Sequence, residues 1–428
     1  MGIAGLEHER GYKDDGRRVW HAMSKALVES FSMEKGSRMV MKFLDIFAGN
    51  LDKAFPKTEN STDWVSVDLR NLIMKQSLIA GISSFFGSHL VDSWPTLFED
   101  FWTYQEYVFI HLSQMPRILA PKAYASRRKI LDILLRWEQD AHEHRDLDQL
   151  LASDVDSDEY WGARVVWRII KLGMKNGLSE EGRASILLSL LSGRGENTVP
   201  ITFWMMVQCL VEPDVKSRVC SAIDSCQNSE DGFNLHRLVT HSYLKSFFLE
   251  TLRCHVGAPS MRQVLKTTQI GEYTFHKGNV VHIVGRELHM NDKIWFSNGA
   301  PKDSSEFWAE RFLDMDSDKN GKPIEKHQVE PKFSKAAADA ISAPIGARSK
   351  PIRDRMASLR VFGGGDHLCP GRHLGLRDTI GAMATLFTMF DIEMDEEALQ
   401  VIGMPDPDTH AFSGFLPDRK FMIRMKRK

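Results

Sequence analysis

Residues 362–375 read FGGGDHLCPGRHLG. Three consecutive glycines (Gly363, Gly364, Gly365) and a Pro370–Gly371 pair bracket one cysteine, Cys369, just ahead of a segment with helical apolar spacing. Glycines let the backbone come close to a flat ligand and take conformations closed to other residues. A cysteine at a helix N-terminus has its thiolate favoured by the positive dipole end and by free N–H groups. Such a sulfur can ligate iron.

Around this loop the chain has the composition of a globular protein with a large core, 43% hydrophobic and 26% charged over 428 residues. Its 55 basic and 57 acidic side chains leave a net charge of -2, which removes the broad electrostatic case for nucleic acid. The five cysteines (Cys209, Cys220, Cys226, Cys254, Cys369) include no CxxC pair, so they read as neither a disulfide framework nor a zinc site and point to a reducing, intracellular setting. The opening MGIAGLEHERGYKDDGRRVW mixes charges of both signs and holds no apolar run long enough for a signal peptide or membrane span.

From about Arg17 to Cys254 the spacing predicts helices nearly throughout: Leu69 to Phe86, Tyr104 to Met115, Arg127 to His142, Tyr160 to Met174, one long segment from Glu180 to Leu210, and Leu238 to His255. Between Met261 and Leu288, β-branched runs punctuated by Gly271 and Gly278 predict two or three short strands. The stretch from Asp314 to Arg355 reads as a surface insertion. Helix resumes after Gly371 to about Phe390, and short strands follow from Val401 to Met425. Apolar stripes such as FFGSHL, FWTYQEYVF and TFWMMV read as core packing.

Phe362, Gly365, Cys369 and Gly371 fit F-x-x-G-x-x-x-C-x-G, and this segment resembles the haem-binding loop of the cytochrome P450 family. The resemblance implies a mainly α fold with small β-sheets, a helical body around haem b (iron protoporphyrin IX), and Cys369 as the proximal iron ligand. It makes Phe362, Gly365 and Gly371 part of the cofactor-binding loop and puts His367 and Arg262 against haem propionates. Glu250 and Arg253 form E-x-x-R, which alone is an ordinary i,i+3 helix pair. With FWAERF (Phe307, Glu310, Arg311, Phe312) downstream, the resemblance makes Glu250, Arg253 and Arg311 a buried triad that pins one helix to the loop carrying the cysteine.

Glu180 to Leu210 resembles the family's distal helix but departs from its acid-alcohol pattern. GRGENTVPITFW puts Glu196 at the acid, Asn197 at the alcohol and Thr198 one step further, and these three are the expected catalytic residues, managing distal water. Asparagine can hold a water but cannot relay a proton as a hydroxyl does. Pro200 has no N–H, leaves the carbonyl of Glu196 without its helical partner and bends the helix, giving a polar notch able to seat oxygen or a water. The N-T-x-P-x-x-F-W string resembles that of sterol side-chain and bile-acid hydroxylases and of prostacyclin synthase.

GRRVWHAMSKAL resembles the family's helix C, with Trp20 in place and Ser24 where a basic residue usually meets a propionate, so Lys25 or His21 must substitute. The membrane anchor, first strands and helix B that precede it in the family are not in this sequence. The expected organisation is therefore a single P450 domain over 1–428, helical over 17–255, with small sheets, an insertion at 314–355 and the cysteine loop in 256–428. The resemblance implies a monooxygenase that inserts one atom of O2 into a lipophilic small molecule in sterol or secondary metabolism. Electrons come from NADPH through NADPH-cytochrome P450 reductase or a similar donor, at the endoplasmic reticulum. Asn197 motivates a second reading, a haem-thiolate isomerase or dehydratase acting on a peroxide without reductase. The missing N-terminal region motivates a third, a truncated non-catalytic haem-binding remnant.

Overall fold

The computed structural model describes residues 19–32, 35–57, 63–228, 232–295, 302–313, 315–317, 323–325, 355–364, 368–409 and 413–428. They form a helical body with small antiparallel sheets at its edge. Four helices make the centre: Lys35–Ala54, Leu69–Phe86, Thr198–Val211 and Arg372–Met389. In the first, Val40, Phe43, Leu44, Phe47 and Leu51 recur at helical spacing and are buried as one stripe. The third and fourth are buried almost all round, which suits helices enclosed by others.

Leu69–Phe86 starts where Asp68 accepts the N–H of Arg70 over 3.0 Å and stops at Gly87, whose φ is 89°. Gly87 meets a hairpin, Ser157–Asp158 with Gly162–Ala163, in which Gly162 has φ 68°. A side chain on either glycine would collide with the other segment's backbone, so this helix end and the hairpin fit together only through glycines.

Several expected helices are divided. Tyr104 to Met115 becomes the end of Leu97–Gln105 followed by Val108–Leu112, because apolar spacing runs on across the turn at Glu106 and Tyr107. Leu238 to His255 becomes Leu235–Thr240 and Ser242–His255. The two or three strands expected after Met261 are four, paired Ser260–Gln263 with Val280–Ile283 and Thr268–Ile270 with Tyr273–Phe275. Within the expected insertion, Met315–Ser317 pairs with Pro323–Glu325; most of its remainder lies outside the described residues.

Several strands were not expected, among them the short hairpins at 157–163 and 227–233 and the strands Val65–Asp68 and Phe390–Met394. Val65–Asp68 pairs antiparallel with Met422–Arg427, which also pairs with Phe390–Met394. The shared strand lies between them, and its own Ile423 and Met425 are buried. No helix among the described residues is long and apolar enough to cross a membrane.

Candidate functional site

Cys369 lies half-buried just ahead of the Arg372–Met389 helix. Its N–H donates to the Phe362 carbonyl over 2.9 Å and closes the glycine loop at its base. The main-chain N–H groups of Gly371 and Arg372 point at Sγ, and the Arg372 guanidinium adds positive charge. Burial nevertheless outweighs these groups and pushes the thiol up from its ordinary value. The N–H groups at the helix end, visible in sequence, do favour the thiolate as expected; the opposing burial was not visible there. A Cβ on Gly371 would stand 3.8 Å from Sγ, so glycine leaves that flank of the sulfur uncovered. Phe362 is half-buried, while Gly365 and His367 lie outside the described residues.

The donor set at Cys369 is informative. Among the described residues no three His, Cys, Asp or Glu side chains gather to hold a bare metal ion. A metal ligated by this one sulfur would need its other ligands from a prosthetic group, and iron in a porphyrin has that arrangement.

Glu180–Gly195 and Thr198–Val211 are two helices, not one, and they meet at Glu196 and Asn197. The bend expected from Pro200 takes the form of this two-residue interruption, at which Glu196 and Asn197 both keep right-handed helical dihedrals. Gly414 lies beside it, where a Cβ would come 3.2 Å from the Glu196 carbonyl oxygen. Ser413 Oγ donates to Asn197 Oδ1 beside it. Thr198 Oγ1 donates to the Arg194 carbonyl at 2.8 Å, an ordinary back-bond within the helix. Glu196 is half-buried, and burial pushes its carboxyl up to about 7. Thr198 also touches the helix that follows Cys369, since a Cβ on Gly375 would lie 3.4 Å from Thr198 Cγ2.

The segment over the break is anchored on three sides. Gly257 N–H donates to the Ser413 carbonyl (3.1 Å), Phe415 N–H to the His255 carbonyl (2.9 Å), and Trp204 Nε1 to the Phe415 carbonyl (2.7 Å). Sequence reading missed Ser413 and Gly414 because nothing local marks them; their partners are more than a hundred residues away.

Glu250, Arg253 and Arg311 come together, all three essentially without solvent exposure. Glu250 Oε1 accepts from Arg253 Nη2 (2.8 Å), Arg311 Nε (3.0 Å) and the Trp308 N–H (3.0 Å), and Oε2 accepts from Arg253 Nε (2.8 Å). The remaining guanidinium donors reach the carbonyls of His289, Trp295, Asp303, Ser304 and Glu306. The buried charges are therefore fully hydrogen-bonded, the condition under which such groups are tolerated. Two further buried arginines went unread. Arg194 pairs with Asp378 beneath the ring of Phe43. Arg377 donates to the Phe31 carbonyl (3.1 Å) and fastens the end of the Val19–Ser30 helix to the helix after Cys369.

Arg262 is exposed on its strand, and its one hydrogen bond among the described residues goes to the neighbouring Met261 carbonyl at 2.8 Å. Trp20 and Lys25 are also exposed on the Val19–Ser30 helix, and the side chain of His21 is outside the described set.

A sequence model of the family described as Cytochrome P450 matches residues 12–407. Among similar proteins, the cytochrome P450 monooxygenase fsoE of Humicola fuscoatra is 28% identical over 86% of this chain and 63% of its own length. The cytochrome P450 monooxygenase efuG of Hormonema carpetanum is 26% identical over 86% of this chain and 65% of its own length. For the cytochrome P450 monooxygenase calL of Penicillium decumbens the figures are 24%, 96% and 72%. The chain thus spans just under two thirds of the first two relatives. With the family model covering most of its length, and a lone cysteine loop, broken distal helix and buried Glu-Arg-Arg cluster in one helical body, the chain belongs to the cytochrome P450 family.

Proposed function

We propose that the chain binds haem b through Cys369 and acts as a monooxygenase on a lipophilic small molecule. The observation that carries this is the half-buried Cys369 thiol at the start of a helix that touches the distal break at Thr198. The three relatives, each named a monooxygenase, support it. Haem, when bound, supplies dioxygen activation with electrons from NADPH through a reductase partner.

This chain's own residues do the rest. Cys369 gives up its proton on ligation, favoured by the N–H groups of Gly371 and Arg372. Phe362 and Gly371 shape the loop beside the sulfur, and the family resemblance assigns Gly365 to the same loop. Arg262, exposed and hydrogen-bonded among the described residues to its neighbour's carbonyl, would take a haem propionate, and the family resemblance assigns the same role to His367. Glu196, titrating near 7, can hold and release a proton at neutral pH. Asn197 and Thr198 are committed to Ser413 and Arg194, so proton delivery falls to Glu196 and water.

The same commitment of Asn197 favours a second reading, an isomerase or dehydratase that takes a peroxide and needs no reductase. The deciding test of haem-thiolate ligation is the absorption spectrum of the reduced, CO-bound full chain. A red-shifted band present in the unsubstituted protein and lost in Cys369→Ala is expected, and a band that survives the substitution places the ligand elsewhere. Product formed with NADPH, O2 and reductase then selects the monooxygenase, and product from a peroxide alone selects the isomerase.

A further inference from the structure

Ser413 reaches the interruption between the Glu180–Gly195 and Thr198–Val211 helices from 216 residues further along the chain, and its main chain is held in place there. Its carbonyl accepts the Gly257 N–H, and Gly414 forms a bridge with Val256. Phe415 is tied at both ends, its N–H to the His255 carbonyl and its carbonyl to Trp204 Nε1. Gly414 keeps the segment in contact with the interruption, since a Cβ there would lie 3.5 Å from both Asn197 Cα and Pro200 Cβ. A fixed backbone therefore delivers the Ser413 hydroxyl to Asn197.

Ser413 is 9% exposed, and a buried hydroxyl needs an acceptor for its hydrogen. Among the described residues that acceptor is Oδ1 of Asn197. A carboxamide has an acceptor end and a donor end, and occupying the first decides how the second is presented. Turning the amide over would leave the Ser413 hydrogen without an acceptor, which is unfavourable for a buried group. Asn197 is half-buried; its Nδ2 makes no hydrogen bond among the described residues and is not among the polar atoms sealed from water. The neighbouring Thr198 hydroxyl has already spent its hydrogen on the Arg194 carbonyl. The oxygen of Asn197 is thus taken, and both hydrogens of its nitrogen remain to be used.

We propose that Ser413 is a positioning residue: by holding Oδ1 it makes Asn197 a hydrogen-bond donor only, so that the interrupted helix recognises an acceptor oxygen, a ketone or ether oxygen on the lipophilic substrate. A site that donates to an oxygen discriminates against the analogue lacking it. The substrate part of this inference rests on the monooxygenase reading above, whereas the hold of Ser413 on Asn197 stands on geometry alone.

The test is NMR of the full chain isotope-labelled at its asparagines, both haem-loaded in the reduced, CO-bound state and haem-free. The Asn197 side-chain signal is assigned by its loss in Asn197→Leu. Benzophenone is the acceptor probe and diphenylmethane the matched control without an oxygen. In the unsubstituted chain the Asn197 amide hydrogens should shift saturably as benzophenone is added and stay in place with diphenylmethane. Ser413→Ala should move the Asn197 signal before any probe is added and weaken benzophenone about fivefold, with diphenylmethane unchanged. Ser413→Thr, which keeps the hydroxyl, should restore both. A merely structural role for Ser413 would weaken the two probes alike, and that result overturns the proposal. So does an Asn197 signal that is the same with and without the Ser413 hydroxyl, or an amide in the unsubstituted chain that does not respond to benzophenone. Should Ser413→Ala not fold, the response of the unsubstituted chain and of Ser413→Thr decides. Failure of haem to load counts against the proposed function alone, because the bond between Ser413 and Asn197 is read equally in the haem-free chain.

Discussion

The main-chain N–H of Arg360 donates to Nε2 of His289 over 3.1 Å, while Nδ1 of the same ring faces the Val256 carbonyl at 3.2 Å. That pair of bonds fixes a neutral tautomer with the proton on Nδ1. Arg253 also donates to the main-chain carbonyl of His289, at 2.7 Å. One buried histidine therefore ties the Glu250 cluster to the stretch that leads into the cysteine loop.

Burial pushes His289 down to about 4; the Val256 bond opposes this, and Arg253 and Arg286 reinforce it. Between the ordinary value of about 6.5 and about 4, the unfolded chain binds a proton that the folded chain refuses. Stability conferred by the neutral ring is present above that window and is lost as pH falls through it, by up to about 1.4 kcal/mol per pH unit. Burial pushes His255 down to about 3 as well, so urea denaturation between pH 7 and 4.5 should show the slope of both rings, and His289→Gln should remove its share while lowering stability at pH 7. An unchanged slope in His289→Gln removes His289 as the acid-sensitive group.

Glu250→Gln should leave little folded protein. The substitution takes the counter-charge from two guanidinium groups with no access to water, a loss of about 3–5 kcal/mol. Soluble yield and denaturation midpoint measure it, and a midpoint like that of the unsubstituted chain would contradict the buried cluster.

Arg194 and Asp378 behave differently. Their pair is buried, yet among the described residues Arg194 Nε and Nη2 and Asp378 Oδ1 have no hydrogen-bond partner, and burial raises the Asp378 carboxyl despite both neighbouring arginines. Asp378→Asn should cost about 3–5 kcal/mol, whereas the double substitution Arg194→Met with Asp378→Leu should cost far less, because an unsatisfied ion pair is weak against apolar packing. A double-mutant cycle in urea reads the difference. Equal losses for the single and double variants would mean the pair itself stabilises the bundle.

Glu196→Gln should stabilise the protein at pH 8 and hardly at all at pH 5. With its carboxyl pushed up to about 7, the folded chain keeps a proton that the unfolded chain releases above its ordinary value of 4.5, so stability falls as pH rises from 4.5 through 7. Incomplete sealing from solvent reduces the gain at pH 8 to about 2 kcal/mol. Denaturation at the two pH values checks the sign; a loss at pH 8 would show that the ionised carboxylate has a partner.

Local signals were the ones legible in sequence. Leu69–Phe86 was found at its true ends because Asp68 and Gly87 mark them, and Arg372–Met389 because Pro370 and Gly371 precede a continuous apolar pattern. The Glu250, Arg253 and Arg311 grouping came from matching two separated motifs, and all three meet at one carboxylate. Signals that depend on distant partners were not legible. Pro200 announced a bend, but nothing local announced that Ser413 and Gly414, more than two hundred residues on, would pack against it. Cys369 was legible as a helix-start cysteine, while the burial that raises its thiol depends on the whole body around it.

Met422–Arg427 is the middle strand of its sheet, yet it follows both neighbours in the chain, Val65–Asp68 by several hundred residues. During synthesis Val65–Asp68 and Phe390–Met394 have no edge to bind until that last segment emerges, and closing so long a loop is slow relative to local helix formation. A ribosome stalled short of Met422 would therefore hold a helical body whose Val65–Asp68 and Phe390–Met394 edges are still unpaired, and that species, rather than the finished protein, would be the natural substrate for chaperones.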